Sequence, residues 1–264
     1  MDREPVVAGL FYPGDRTALA RQVAALLGPQ ARAQPALGLL APHAGYVYSG
    51  AVAGRTYARV AAPERAIVLC PNHTGLGPRA SLWPDGGWLT HLGRVAIDEE
   101  LTAALRACPL LEEDRSAHLR EHSLEVQLPF LQARRPDVAV AALCLGPLSA
   151  AEIEELGAAL AEAVLARPAL LVASSDMSHY VPADEARAKD EQALARVLAL
   201  DARGLRDVVR REAISMCGAV PTCAMLAAAA RLGAREGELV QYATSGDVTG
   251  DRRSVVGYAG AVVR

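Results

Sequence analysis

Aromatic side chains are scarce in this sequence: they make up 4% of its 264 residues, and Phe11 and Phe130 are the only phenylalanines. Proteins that hold single-stranded nucleic acid stack bases on such rings, so the scarcity argues against that class. Blocks of like charge are missing too. The 27 Lys and Arg and the 30 Asp and Glu leave a formal net charge of -3, with both signs interspersed and no patch suited to nucleic acid or a membrane surface. No apolar run is long enough to span a bilayer; the richest, Ala219 to Ala230, is short and contains Pro221. The N-terminus, Met1-Asp2-Arg3-Glu4-Pro5, is charged where a signal peptide would be apolar. The five cysteines (Cys70, Cys108, Cys144, Cys217, Cys223) include no C-x-x-C pair, and an odd, scattered set reads as reduced thiols. These absences predict a cytoplasmic protein that binds neither nucleic acid nor membrane.

What the chain does have is core-forming material. Hydrophobic residues make up 52% and charged residues 22%, enough to bury a large interior. Four short apolar runs bounded by turn residues read as buried strands: Leu37 to Ala41, Ala66 to Cys70, Val138 to Leu145 and Ala169 to Ala173. Helical patterns alternate with them. Asp15 to Leu27 opens on an aspartate, Asp98 to Ala107 on a cap followed by two glutamates, and Ser149 to Leu165 on a serine with Glu152 at capping-box spacing. Glu185 to Leu200, Leu205 to Glu212 and Gly218 to Leu232 follow, the last with Pro221 in its first turn. Glu238 to Thr244 and Ser254 to Val263 look like strands around the turn-rich stretch Ser245 to Asp251, and Pro29 to Pro35 reads as a loop. Strands alternating with helices predict an α/β fold with a largely parallel central sheet flanked by helices, the last two strands adding antiparallel edges. Without repeat or linker, residues 1–264 read as one domain.

In open α/β sheets ligands bind beyond the carboxyl ends of the strands. Here the first strand runs into Pro42-His43-Ala44-Gly45-Tyr46, the second into Pro71-Asn72-His73-Thr74-Gly75, and the strand at Ala169 to Ala173 into Ser174-Ser175-Asp176-Met177-Ser178-His179. One such histidine reads as a strand cap; three at equivalent places point to one shared site. Asp176 and His179 are placed to share a turn, the carboxylate orienting the imidazole. Two histidines and a carboxylate suit non-haem Fe(II), which makes His43, His73 and Asp176 one triad. Cys217 competes for the third position, since it precedes an apolar helix whose dipole favours thiolate. Cys70, Cys144 and Cys223 read as core and Cys108 as a helix-end residue. In Glu121-His122-Ser123-Leu124-Glu125, a helix would put His122 and Glu125 on one face, in a supporting role. His91 and His118 sit among charged, loop-like residues and read as exposed, and Asp247 and Asp251 read as turn residues.

These pieces together resemble the Memo family in its prokaryotic form, the protein-B type of the AmmeMemoRadiSam system. The motifs that carry the likeness are Ala41 to Tyr46, Pro71-Asn72-His73, Glu121 to Glu125, Ser174 to His179, Met216-Cys217-Gly218, Ser245 to Asp251 and Val7 to Pro13. The resemblance implies a fold similar to the class III extradiol dioxygenases, which hold Fe(II) with two histidines and a glutamate. Carried over, His43 and His73 look like the histidine ligands and Cys217 stands at the glutamate's place. His179 resembles the acid/base histidine, with Asp176 beside it. A thiolate also admits copper or zinc. The implied function is a dioxygenase-like iron redox site acting on a small molecule, aromatic compounds among the candidates, with a radical-SAM protein and a third protein in the same pathway. A non-catalytic metal or peptide-binding protein and a zinc-dependent hydrolase are the alternatives.

Overall fold

In the computed structural model, which describes residues 1–29 and 33–264, the chain opens on a short strand β1 (Asp2–Arg3) and helix α1 (Arg16–Leu27). Asp15 caps that helix by accepting the Ala18 N–H, as its sequence suggests. The loop expected over Pro29 to Pro35 falls partly on residues 30–32, outside the described residues. Next come β2 (Gly38–Ala41), α2 (Tyr46–Ala58) and β3 (Arg65–Pro71). A long excursion follows: β4 (Ala80–Leu82), β5 (Gly87–Thr90), β6 (Gly93–Ile97), α3 (Glu99–Leu105), β7 (Glu112–Glu113), α4 (Ser116–Leu119) and α5 (Leu128–Arg134). The chain returns through β8 (Ala139–Leu145), α6 (Ala150–Ala166) and β9 (Leu170–Ser174). It ends with β10 (His179–Val181), α7 (Ala183–Leu198), α8 (Ala202–Arg211), α9 (Ala219–Arg231), β11 (Gly237–Thr244), α10 (Gly246–Thr249) and β12 (Val255–Val263).

The four apolar runs are the heart of the sheet, in the order β8, β3, β9, β2, all parallel, so that Val68 lies between Ala142 and Val172. The two flanks are mixed. Antiparallel β12 joins β2 and β11 joins β12, as expected, but the β5–β6 hairpin and β4 add antiparallel pairs at the other side. The central strands are buried on both faces, and period-two alternation sorts their side chains. Leu40, Ile67, Leu69, Leu143 and Leu171 pack with α6 and α9; Leu39, Val68, Val140, Leu170 and Val172 pack with α1, α2 and α5.

Helix α2 lacks the marks that identify the other long helices. Its N-cap, Gly45, makes no side-chain cap, nine of its 13 residues are buried, and unlike the equally buried α9 it has no proline in its first turn to mark its start. Gly50 and Gly54 allow α1 close: a Cβ at Gly54 would stand 2.4 Å from the Leu26 carbonyl oxygen. The reading of Ser245 to Asp251 as a turn is refined by α10, which Gly250 ends in the left-handed region. Among the described residues no helix is long and apolar enough to cross a membrane.

Strand β2 leaves toward α2 on one face, whereas β9, its neighbour, leaves toward α7, α8 and α9 on the other. Diverging connections open a crevice at the carboxyl ends of these strands. The histidine segments lie there.

Candidate metal centre

His43 leaves β2 buried, and its Nε2 lies 3.2 Å from the Cys217 Sγ. His73, from the end of β3, brings its ring centroid to 5.2 Å from that of His43. One donor atom each from His43, His73 and Cys217 lies within 4.8 Å of the others. The structure therefore brings together the two strand-end histidines and the cysteine.

Hydrogen bonds fix which nitrogen each imidazole presents. The Ser174 hydroxyl donates its one proton to the Ser123 carbonyl at 2.6 Å, so at 2.9 Å it accepts from His43 Nδ1–H. Gln127 Nε2 donates to the same hydroxyl at 2.8 Å. His73 Nδ1 lies 2.9 Å from Glu121 Oε1, and the Glu121 carboxylate also takes the His73 backbone N–H at 2.7 Å. His179 Nδ1 lies 2.9 Å from the Ser215 carbonyl, which only accepts. In all three rings Nδ1–H is thus engaged, and Nε2 is the nitrogen left without these partners. Burial, then the neighbouring His122 and His73, hold His43 well below the usual imidazole range, so it is neutral.

Asp176 is placed differently from expectation. Its Oδ1 accepts the backbone N–H of His43 at 2.8 Å and of Ala44 at 3.3 Å. It therefore shapes the His43 turn, and Ser215 instead of Asp176 orients His179. The reason is topological: adjacent β2 and β9 end side by side, which puts the first carboxylate after β9 under the turn after β2. Burial raises Asp176 to about 6 despite those two bonds.

Cys217 sits just before Gly218, the N-cap of α9, but the thiolate expected from the helix dipole does not prevail. Burial and the Asp176 charge push the thiol well above its usual range, outweighing the Asp176 N–H that donates to Sγ at 3.3 Å. A coordinated cation reverses that balance, since a thiol bound to a divalent ion loses its proton. Gly218 lets the segment approach β9; a Cβ there would stand 2.3 Å from the Ser174 carbonyl oxygen.

His122 and Glu125 do not share a helix face, because residue 122 precedes the 3-10 turn Glu125–Gln127. Glu125 is fully buried and ties down the N-terminal segment, accepting from Arg3 at 2.7 Å, Val6 N–H at 2.9 Å, Val7 N–H at 3.1 Å and the Tyr12 hydroxyl at 2.7 Å. His122 turns into the site: its ring lies 4.9 Å from His73, 5.5 Å from His43 and 4.9 Å from Phe11. Burial lowers its pKa below the ordinary value. His73, Glu121 and His122 also form a close group, but Glu121 Oε1 already serves His73 Nδ1 and both Ser123 donors, at 3.0 and 2.6 Å. Burial opposes its ionisation, yet these donors hold the carboxyl at about 2. The group is a hydrogen-bond hub. Glu121, Ser174 and Ser215 are the residues that sequence reasoning passes over. Only Glu121 leaves a trace, as a carboxylate inside a histidine-bearing motif.

Two further expectations are corrected. His118 is fully buried between Trp83 and Trp88, at 5.7 and 5.9 Å between ring centroids, and His91 is half-buried. Cys70, Cys144 and Cys223 are core residues, and Cys108 is buried with them. Asp247 closes its turn on Thr244, and Asp251 pairs with Arg253, so neither serves the site.

The profile of the family described as Memo-like protein matches residues 3–262. A MEMO1 family protein of Methanopyrus kandleri is 43% identical over 281 residues, covering 100% of this chain and 99% of that protein. One of Aquifex aeolicus is 43% identical over 264 residues, covering 98% of each. Among solved structures, an uncharacterized protein of Escherichia coli K12 superposes with a TM-score of 0.58 over 85% of this chain and 98% of its own; at 15% identity it speaks to fold alone.

Proposed function

The chain belongs to the Memo-like family, and from that premise we propose that it is a metal-dependent redox enzyme, with Fe(II) held by His43, His73 and Cys217 and a small aromatic substrate turned over beside His179. One observation carries the reading: three donor atoms of a two-nitrogen, one-sulfur set converge within 4.8 Å while hydrogen bonds occupy the other nitrogen of both imidazoles. Partners on the second nitrogen are how metal-binding histidines are oriented. When bound there, such an ion would supply one-electron and Lewis-acid chemistry.

The chain's own residues do the rest. Asp176 and Ser174 hold His43, buried and neutral, at a fixed angle. Glu121 ties both the backbone and the ring of His73. His179, anchored through Nδ1 to Ser215, presents Nε2 as the atom that takes or returns a proton. Phe11 and His122, 4.9 Å apart between ring centroids, put aromatic surface beside His73, which favours a flat ligand over a highly charged one. We place the protein in the cytoplasm beside a radical-SAM protein and a third protein of one pathway; five unpaired cysteines support that compartment.

The test is metal analysis of untagged protein purified without oxygen, with His43→Ala and Cys217→Ser in parallel. Expected are stoichiometric iron in the unmodified protein, its loss in His43→Ala, and much weaker Cu(I) binding in Cys217→Ser, because a hydroxyl is a poor ligand for a soft ion. Zinc in place of iron, without oxygen uptake, would replace this reading with the hydrolytic one. Full metal retention in both variants would overturn the assigned ligands.

A further inference from the structure

Helix α8 carries Arg203, Arg206 and Arg210 at intervals of three and four residues, so they share one face. At a helical rise of 1.5 Å per residue they span about 10 Å. That face borders two adjoining concavities of about 360 and 280 Å³, which share Ile153 and Arg206. Leu148, Ile153, Val209, Val220 and Cys223 supply an apolar floor, and the three arginines form one wall.

The positive charge there is not neutralised from within. Among the described residues neither Arg203 nor Arg210 has an acidic partner, and Arg206 reaches only Asp207, at 4.0 Å. Glu154, the one carboxylate of the lining, is paired with Arg231 at 3.0 Å. Such a cluster stands out in a chain whose net charge is -3.

We propose that this groove docks an acidic amphipathic helix presented by a partner protein. A helix lying along α8 offers carboxylates at the same one-turn intervals as the arginines, and the apolar stripe beside them covers the floor. The arginines set orientation and on-rate, and the apolar floor supplies the buried area. The docked helix would touch Ala219 and Val220, the second and third residues after Cys217, so the partner sits against the turn that presents the thiol.

The probe is a fluorescently labelled synthetic amphipathic helix with glutamates one turn apart beside a leucine stripe, and a twin with lysines for the glutamates. Anisotropy titrations use the full chain, an Arg203→Glu/Arg206→Glu/Arg210→Glu variant and Val209→Glu. Circular dichroism checks folding, and Arg210→Glu alone serves if the triple variant does not fold. Expected is saturable binding of the acidic peptide that weakens with salt, falls roughly tenfold or more in the triple variant and falls also in Val209→Glu, with the lysine twin not binding. Equal binding of the twin, or an unchanged Kd in the triple variant, would overturn the proposal. So would inorganic pyrophosphate binding where the acidic peptide does not, which makes the groove a small-anion site. Sedimentation showing a dimer that the triple variant abolishes would make the occupant a second copy, against the proposal.

Discussion

His118 gives the sharpest thermodynamic test of the structure. It is fully buried between Trp83 and Trp88, and among the described residues neither ring nitrogen has a hydrogen-bond partner. Burial first, and the Arg3 guanidinium second, lower its pKa from 6.5 to about 4. The unfolded chain therefore takes up this proton at a higher pH than the native protein. The stability that the neutral ring contributes is complete above pH 6.5, drains away as pH falls toward 4, and is gone below it. That difference between unfolded and folded ring corresponds to about 3 kcal/mol, a large share of the ~5–15 kcal/mol that holds a domain folded. His118→Phe removes the titrating group and keeps an aromatic ring in the slot, giving up only the contact with the Ser81 backbone that weakly opposes the shift. Urea unfolding followed by fluorescence of the two adjacent tryptophans, at pH 7, 5.5 and 4, measures both proteins. The stability of the unmodified protein should fall by about 3 kcal/mol more than that of His118→Phe across this range, other titrations being common to both. Parallel stability curves would show that the ring is solvated or paired in solution, and would refute the argument.

Three other outcomes follow from the geometry. Glu121→Gln removes the charge that orients His73 and should weaken metal binding about 10- to 100-fold in anaerobic titrations, and unchanged affinity would mean that His73 needs no second anchor. Gly54→Ala should destabilise by about 1–3 kcal/mol in chemical denaturation, although alanine is the better helix former, because its Cβ would meet the Leu26 backbone at 2.4 Å; a more stable variant would contradict the packing of α1 on α2. His179→Ala should keep its metal while losing turnover of whatever substrate is found, whereas metal loss matching that of His43→Ala would make His179 a ligand.

Much of this protein is decided by its sequence alone, because the responsible forces are local. The strands β2, β3, β8 and β9 are short apolar runs that can lie only in the middle of a covered sheet. Asp15, Asp98 and Ser149 cap the helices they precede, since a cap needs only a side chain within one turn of its N–H groups. His43 and His73 are legible for a related reason: a residue just past a parallel strand must appear at the sheet's carboxyl edge. Everything that depends on two distant segments meeting was settled by tertiary structure. Cys217 lies 174 residues from the His43 ring it touches, and Asp176 serves the His43 backbone, not its neighbour His179, because β9 inserts beside β2. His118 reads as exposed in its charged surroundings, and only the closure of Trp83 and Trp88 around it removes it from water. Helix α2 stays hidden because burial on nearly every side removes the polar face and, unlike the equally buried α9 with Pro221 in its first turn, it has no local start signal; burial on all sides is a property of neighbours that the local sequence does not carry.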